Sequence, residues 1–353
     1  MSSAFPVRRS LSLAALALAG VLAACAQAPP PPAAPAAPPP PPAVSLSPRV
    51  IEQASAYRAY VTRAGQISPS FPDGASVAES LKTGASYEPQ QLIRGAIAYG
   101  AVAALQDPAF VAGARKYAVD PTQRRQIAYE IMKDPAYAAG ISGASSAAGL
   151  VVAALGDDGK RLLDQGNAVK QAAYDVQRAS WSKAEVVRRD ARLAETKQLS
   201  VTPVLGDVNE TARLQLAAVG GAPLGLSAQS TANPPYTPVV IRSLAVAALA
   251  ALGYADDASL EQVMPILGEP MSASCLNMSK LNLYQCLAVA KPHYEDVFCL
   301  GQHVLIDTGS CLLKSAGMAP PVDPRAAAIA EAAAARATPY SAPKPASKPT
   351  KRR

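Results

Sequence analysis

Residues 107–140 read DPAFVAGARKYAVDPTQRRQIAYEIMKDPAYAAG and contain three Asp-Pro pairs, at 107–108, 120–121 and 134–135. An aspartate caps a helix with its side chain, and proline suits the first helical position because its missing N–H needs no partner there. The residue before a proline is pushed out of helical conformation, so each pair ends one helix and begins the next. The pattern predicts short antiparallel helices.

The composition of the whole chain agrees with this prediction. About a fifth of the 353 residues are alanine, whereas aromatic residues make up 5%. β-Sandwiches and barrels draw on β-branched and aromatic residues, so this composition favours helices that pack through small side chains. We expect an all-α protein, either a multi-helix bundle or a helical array, with further helices beginning at Ser47-Pro48 and Pro89 and spanning Pro238 to Leu252.

Two adjoining segments predict the centre of the fold. Residues 136–156 carry no charge and include four glycines, which is typical of a buried central helix with close neighbours. After Gly156-Asp157-Asp158-Gly159, a separate amphipathic helix is expected to run to about Arg192, with Trp181 facing inward.

Four cysteines follow the last predicted core helix, at Cys275, Cys286, Cys299 and Cys311. In an exported protein an even set of cysteines predicts disulfides, and three connectivities are possible. If Cys275 and Cys286 share one helix, they lie ~16 Å apart along it, too far for a bond between them. An antiparallel hairpin favours the nested pairs Cys275–Cys311 and Cys286–Cys299, which would close a C-terminal helical hairpin.

Two chemical alternatives fall in the same region. Cys299 and His303 are one helical turn apart, with His293 nearby, so a zinc site competes with the disulfides. Residues 304–310, VLIDTGS, resemble the active-site signature of aspartic proteases, in which Asp307 would be one of two catalytic carboxylates. Too little chain follows for that fold, and the competing interpretation is a helix that ends with Gly309 as its cap.

Catalytic residues are otherwise not indicated. The chain has two histidines, and it lacks a nucleophile elbow, a phosphate-binding loop and an H-E-x-x-H motif. Two carboxylates could still act as a catalytic pair, as in glycosidases. The sequence does not indicate which of the candidate acids would form it: Glu79, Glu130, Glu185 and Glu210. We therefore assign no catalytic, cofactor-binding or metal-binding residue and expect no cofactor.

The N-terminus predicts export and a lipid anchor. Arg8 and Arg9 precede a short apolar stretch that ends in Leu22-Ala23-Ala24-Cys25. This segment resembles the lipobox of bacterial lipoproteins. The resemblance implies cleavage before Cys25, diacylation of the Cys25 sulfur and, because no aspartate follows, residence in the outer membrane facing the periplasm. Residues 29–42 contain only proline and alanine, which predicts an extended spacer about 40 Å long.

The formal net charge of +7 comes from the two ends of the chain. Residues 1–24 contribute +2 and residues 338–353 contribute +5, which leaves a neutral body and excludes a nucleic-acid-binding face. The basic tail carries five cations that can contact anionic lipid or wall polymer, or other envelope proteins: Lys344, Lys348, Lys351, Arg352 and Arg353.

The predicted organisation begins with a signal peptide (1–24) and a lipidated proline-rich linker (25–46). A helical domain (47–198) and a loop (199–237) follow, and the loop contains a short helix near Glu210 to Ala218. The chain continues with a helical region that holds the four-cysteine hairpin (238–319) and with an Ala-rich basic tail (320–353). Whether the body forms one domain or two is left open. These features favour a non-catalytic binding or assembly component of the envelope; the alternative is an enzyme that acts on cell-wall polymer.

Overall fold

The structure is a computed structural model that describes residues 40–226, 231–321 and 331–332. In this part of the chain the fold is all α-helical and contains no β-strand, which confirms the predicted class. The helices are α1 (Pro48–Gly65), α2 (Gly74–Ala85), α3 (Pro89–Ala104), α4 (Pro108–Arg115), α5 (Pro121–Lys133), α6 (Ala144–Asp175), α7 (Ser180–Lys183), α8 (Arg189–Leu199), α9 (Val208–Ala218), α10 (Pro238–Leu252), α11 (Leu260–Val263), α12 (Pro270–Val289), α13 (His293–Cys299) and α14 (Asp307–Ser315). Five short 3₁₀ helices lie at Lys116–Ala118, Pro135–Gly140, Val176–Arg178, Asp257–Ser259 and Met264–Leu267, and a π-helix, Leu300–Ile306, joins α13 to α14.

The Asp-Pro pairs act as helix starts. The Asp107 carboxylate accepts a hydrogen bond from the Phe110 N–H at 2.7 Å, and Asp120 accepts one from the Thr122 N–H at 2.6 Å. These two caps open α4 and α5, as predicted. Asp134 also caps a helix, but the helix is the 3₁₀ segment Pro135–Gly140 rather than an α-helix.

The central helix differs from the prediction. α6 is continuous over 32 residues, passes through Gly156–Gly159 without a break and ends at Asp175 rather than near Arg192. Other parts of the fold occupy the space that a side chain would take: backbone at Gly159 and Gly166, and the Met318 side chain at Gly156. A Cβ atom on Gly166, for example, would lie 2.8 Å from the backbone nitrogen of Ile306. Trp181 falls on the separate helix α7, half-buried against the core.

The second core helix is α10, which spans Pro238–Leu252 as predicted and has most of its residues buried. It packs against α3, α4 and α6, so the helices before and after the loop at 199–237 share one core. The described residues from Pro41 onward accordingly form one compact unit. The loop carries α9, Val208–Ala218, where the short helix was predicted.

Several predictions concern residues outside the described ranges. They are the lipid attachment at Cys25, the proline-rich spacer up to residue 39, and the basic tail from residue 338. Among the helices that the structure describes, none combines the length and hydropathy needed to cross a membrane.

Candidate functional site

Helix α12 is joined by two disulfides to the helical rod formed by α13, the π-helix and α14. Cys275 and Cys311 are bonded with their Cα atoms 5.8 Å apart, and Cys286 and Cys299 with theirs 5.7 Å apart. This is the nested pairing that the antiparallel hairpin predicted. The two bonds lie toward opposite ends of α12 and hold it against the rod along its length.

Hydrogen bonds fill the interface between the two disulfides. The Ser279 hydroxyl on α12 donates to the carbonyl oxygen of His303 at 2.8 Å, within the π-helix. The hydroxyls of Tyr87 and Thr308 are hydrogen-bonded at 3.0 Å, which ties the start of α14 to the segment before α3. A π-helix disturbs the regular backbone ladder, and Ser279 supplies a partner for one of its carbonyl groups.

Asp307, the aspartate of the protease-like signature, lies in this interface. Its carboxylate contacts Nδ1 of His303 at 2.8 Å and accepts a hydrogen bond from the Gln302 amide at 3.0 Å. Burial favours a higher pKa for Asp307, but these hydrogen bonds outweigh it and lower the pKa below the usual value. Asp307 is therefore a structural carboxylate with an imidazole and amides around it, and the catalytic geometry of an aspartic protease is not formed.

The competing interpretation of this motif was also wrong in one respect. Gly309 does not cap a helix C-terminus, because α14 continues past it to Ser315. A Cβ atom at Gly309 would lie 2.7 Å from the carbonyl oxygen of Gly159 on α6. The glycine is needed for close contact between two helix backbones.

Lys280 is the only charged residue of α12, and it points into the core. Lys280 is 4% exposed, and its Nζ donates a hydrogen bond to the carbonyl oxygen of Ala85 at 2.6 Å. The same nitrogen lies 3.4 Å from the ring centroid of Tyr87. Burial lowers the pKa of Lys280 well below its ordinary value, and the more distant charge of Glu88 only partly opposes this. The sequence analysis did not single out Lys280.

Because Lys280 is buried, the solvent-exposed side of α12 carries no charge. Each residue on this side lies three or four positions from another member, so together they follow one stripe of the helix. Its large apolar members are Met271 (77% exposed), Met278 (55%), Leu281 (48%) and Val289 (75%). We call the stripe the α12 face; it consists of Met271, Ser274, Asn277, Met278, Leu281, Gln285, Ala288 and Val289.

A cleft of about 530 Å³ lies between α2, α8 and α13. Within it, Arg192 forms an ion pair with Asp296, which is 3% exposed, and also donates to the carbonyl oxygen of Leu287. Burial raises the pKa of Asp296 to about 6, although Arg192 opposes the rise. Glu195, which the sequence analysis had not selected either, lines the same cleft and pairs there with Lys82 at 3.2 Å.

His293 lies at the edge of this cleft. Its imidazole covers Gly74, where any side chain would collide with it, and its ring centroid is 6.2 Å from that of Trp181. Burial lowers the pKa of His293, Arg192 adds to the lowering, and Asp73 opposes it. The lowered pKa favours the neutral imidazole, which packs between Gly74 on α2 and Trp181 on α7.

The four acids suggested by the sequence do not meet. Glu79 is on α2 beside Lys82, and Glu130 is on α5. Glu185 precedes α8, while Glu210 on α9 pairs with Arg213 through two hydrogen bonds of 2.7 and 2.8 Å. The structure therefore provides no catalytic pair from this set.

The alternative metal site is not formed either. The sulfur of Cys299 is bonded to Cys286, and His303 contacts Asp307. Among the described residues, no group of three or more His, Cys, Asp or Glu side chains is arranged to hold a metal ion.

Comparisons with protein-family models, with curated proteins and with solved structures returned no match to this chain. The site is therefore interpreted from its own residues. Its distinguishing feature is the α12 face, an uncharged and exposed helix surface on the part of the fold that the two disulfides hold in place.

Proposed function

We propose that this chain is an outer-membrane lipoprotein of the bacterial envelope that binds a partner protein through the α12 face and performs no catalysis of its own. The observation that carries the proposal is the exposure of Met271, Met278, Leu281 and Val289 on a helix side that has no charged residue. Large apolar side chains that are exposed together on one side of a folded protein are typical of an interaction site.

The spacing of the exposed residues fits a helix that lies in a groove. Partners of this kind hold anchors at positions i, i+3, i+4 and i+7 of a helix. Met278 follows Met271 by seven residues, Leu281 follows Met278 by three, and Val289 follows Leu281 by eight. Methionine side chains are flexible and polarizable, which suits them to contact with another protein.

The size of the face favours a grooved partner over a second copy of this chain. α12 has 20 residues and is about 30 Å long, and a helix is about 10 Å wide. Two such stripes facing each other would bury roughly 600 Å² in total, below the ~1,200 Å² of a stable interface. A groove contacts the helix from both sides and buries more surface.

The disulfides support the same role. A helix that is already fixed before binding loses little conformational entropy when it docks, so more of the contact energy appears as affinity. Cys275–Cys311 and Cys286–Cys299 attach α12 to the rod near both ends and leave its outer side free.

The location is proposed from the sequence. The segment Leu22-Ala23-Ala24-Cys25 supports lipidation at Cys25, and the proline-rich spacer would hold the body away from the membrane that anchors it. The enzyme alternative receives less support, because Asp296, one of the two acids in the α2–α8–α13 cleft, is buried and paired with Arg192.

Site-specific photo-crosslinking in native membranes tests the proposal. A crosslinker at Met278 should give one adduct of discrete mass, and the adduct should disappear when Leu281→Lys is added. The matched control position is Leu216 on α9, which is 56% exposed and should give no such adduct. The same adduct at both positions, an adduct with the mass of two chains, or an adduct that survives Leu281→Lys would each overturn the proposal.

A further inference from the structure

The sulfur atoms of the described residues differ in oxidation state. The cysteines of this part of the chain all form disulfides, Cys275 with Cys311 and Cys286 with Cys299, so none of them offers a free thiol. The other sulfur atoms belong to the thioethers of five methionines: Met132, Met264, Met271, Met278 and Met318. Within the described ranges, reduced sulfur is therefore present as thioether alone.

These thioethers also differ in their access to solvent. Met132, Met264 and Met318 are partly buried and pack against the core. The sulfur of Met318, for example, lies over Gly156 on α6, where it would collide with any side chain. By contrast, Met271 is 77% exposed and Met278 is 55% exposed. Both exposed thioethers belong to the α12 face.

The helix that carries these two methionines is fixed to the body. Met271 and Met278 are seven residues apart, which is two turns or about 10 Å along the helix. Cys275 lies between them and is bonded to Cys311 on α14. Because the two thioethers face outward and the helix is held by disulfides, a chemical change at either sulfur alters the surface and leaves the core as it is.

We propose that Met271 and Met278 are oxidation sites, and that peroxide releases the partner of the α12 face by converting them to methionine sulfoxide. A sulfur lone pair attacks one oxygen of hydrogen peroxide, and the O–O bond breaks. The hydroxide that leaves takes the proton from the transferred oxygen and becomes water. Sulfur loses two electrons, which the peroxide gains. The release rests on the proposed function, whereas the oxidation depends only on the exposure of the two thioethers.

The added oxygen changes what the α12 face offers to a partner. A thioether is apolar, whereas a sulfoxide is polar. In an apolar groove the sulfoxide oxygen loses its water and gains no hydrogen bond in return, which lowers the affinity. Met278 is three residues from Leu281, so its oxygen lies within the apolar stripe. A dithiol-dependent sulfoxide reductase reverses the change, because the dithiol becomes a disulfide and the oxygen leaves as water.

Peptide mapping by mass spectrometry tests the oxidation sites. The protein is the exported chain with Cys25→Ser, treated with dilute hydrogen peroxide. Met271 and Met278 should be oxidised at least about threefold faster than the other three methionines, because oxidation follows exposure. The circular dichroism spectrum should stay unchanged. Equal oxidation rates at all five methionines, or loss of helical signal as the two are oxidised, would overturn the proposal.

Photo-crosslinking in native membranes tests the release. A crosslinker at Val289, which is 75% exposed, leaves both methionines in place. Peroxide should lower the yield of the partner adduct by about tenfold. The variant Met271→Leu with Met278→Leu should keep the adduct under the same peroxide, which controls for oxidation of the partner. An adduct that survives full oxidation of the wild type, or that is lost equally from the leucine variant, would overturn the release.

The matched control removes two methionines elsewhere. Met132→Leu with Met264→Leu keeps the side-chain volume in the core, and its adduct should still be lost on treatment with peroxide. Protection by this variant would count against the assigned sites. If the untreated wild type gave no adduct at Val289, the proposed function and the release would both fail. The oxidation rates would then still decide whether Met271 and Met278 are the oxidation sites.

Discussion

Gly159 and Gly309 face each other across the contact between α6 and α14. A Cβ atom on Gly309 would lie 2.7 Å from the carbonyl oxygen of Gly159, and a Cβ atom on Gly159 would lie 3.0 Å from the carbonyl oxygen of Gly309. The distance of 2.7 Å is too short for a real carbon atom next to backbone oxygen, and the distance of 3.0 Å is shorter than most real contacts of this kind. The two helices therefore pack backbone against backbone, and the rod that carries the disulfides is held directly on the central helix.

The Gly309→Ala variant should be less stable than the wild type by about 2 kcal/mol. An added methyl group forces the two backbones apart, and overpacking of a filled interface costs about 1–3 kcal/mol. Urea denaturation followed by circular dichroism measures the change. Gly140→Ala is the control, because no atom lies within 4 Å of a Cβ at that position. Equal stability of Gly309→Ala and the wild type would contradict the close contact.

Loss of either disulfide should lower the free energy of unfolding. Cys286 and Cys299 are 13 residues apart and Cys275 and Cys311 are 36 apart, so chain entropy predicts losses of about 3 and about 4 kcal/mol. Double Cys→Ser variants of each pair, compared by thermal and urea unfolding under oxidising conditions, test this. A thiol assay on the unfolded wild type should find none of these four cysteines free. A larger loss for the 286–299 pair than for the 275–311 pair would argue against the entropic account.

Lys280→Met should raise the free energy of unfolding by about 1 kcal/mol at neutral pH, because it removes a buried amine and keeps the volume. Burial lowers the pKa of Lys280 in the folded state, so the unfolded chain binds more protons. The wild type should therefore lose stability relative to Lys280→Met as pH falls from about 10. Unfolding in urea at several pH values checks both statements.

The control for this substitution is Lys280→Ala, which also removes the charge but leaves a cavity. It should be less stable than Lys280→Met at every pH, with the same pH dependence. If the stability difference between wild type and Lys280→Met did not change with pH, the amine would have to be charged in the folded state.

Asp296 should titrate near pH 6 in the folded protein, as observed by carbon NMR of its carboxyl group. Its folded pKa lies above the unfolded value of about 3.9, so the folded state binds the extra proton. The contribution of Asp296 to stability is therefore fully present below about pH 4 and decreases as pH rises to about 6. Arg192→Met should raise the pKa of Asp296 further, because it removes the cation that opposes the rise. A lower pKa in that variant would contradict the assigned role of Arg192.

Local signals in the sequence predicted many helix starts. Asp107 and Asp120 cap α4 and α5, and the apolar run from Pro238 to Leu252 is α10. Helix caps and first-turn prolines interact only with residues close to them in the sequence. The helix starts that they predict therefore do not depend on residues far away in the chain. The disulfide pairing was also predictable, because the spacing of the cysteines on two antiparallel helices leaves little geometric choice.

The sequence-based predictions that were wrong have one cause in common. Gly156 and Gly159 suggest a break when α6 is considered alone, and Gly309 suggests a helix end when α14 is considered alone. In the fold, Gly159 and Gly309 face each other's backbone and Gly156 faces the Met318 side chain, so the packing gain outweighs the local cost of glycine in a helix. Lys280 was overlooked for the same reason, since an unpaired lysine on a helix is expected on the solvent side.

The sequence by itself determined the helical class, the positions of the capped helix starts and the pairing of Cys275, Cys286, Cys299 and Cys311, because those properties depend on neighbouring residues or on spacing along a helix. Tertiary structure alone decided which side of α12 faces solvent and which acids lie in the cleft between α2, α8 and α13. Those properties depend on residues far apart in the chain, and the close packing of the core determines which of them meet.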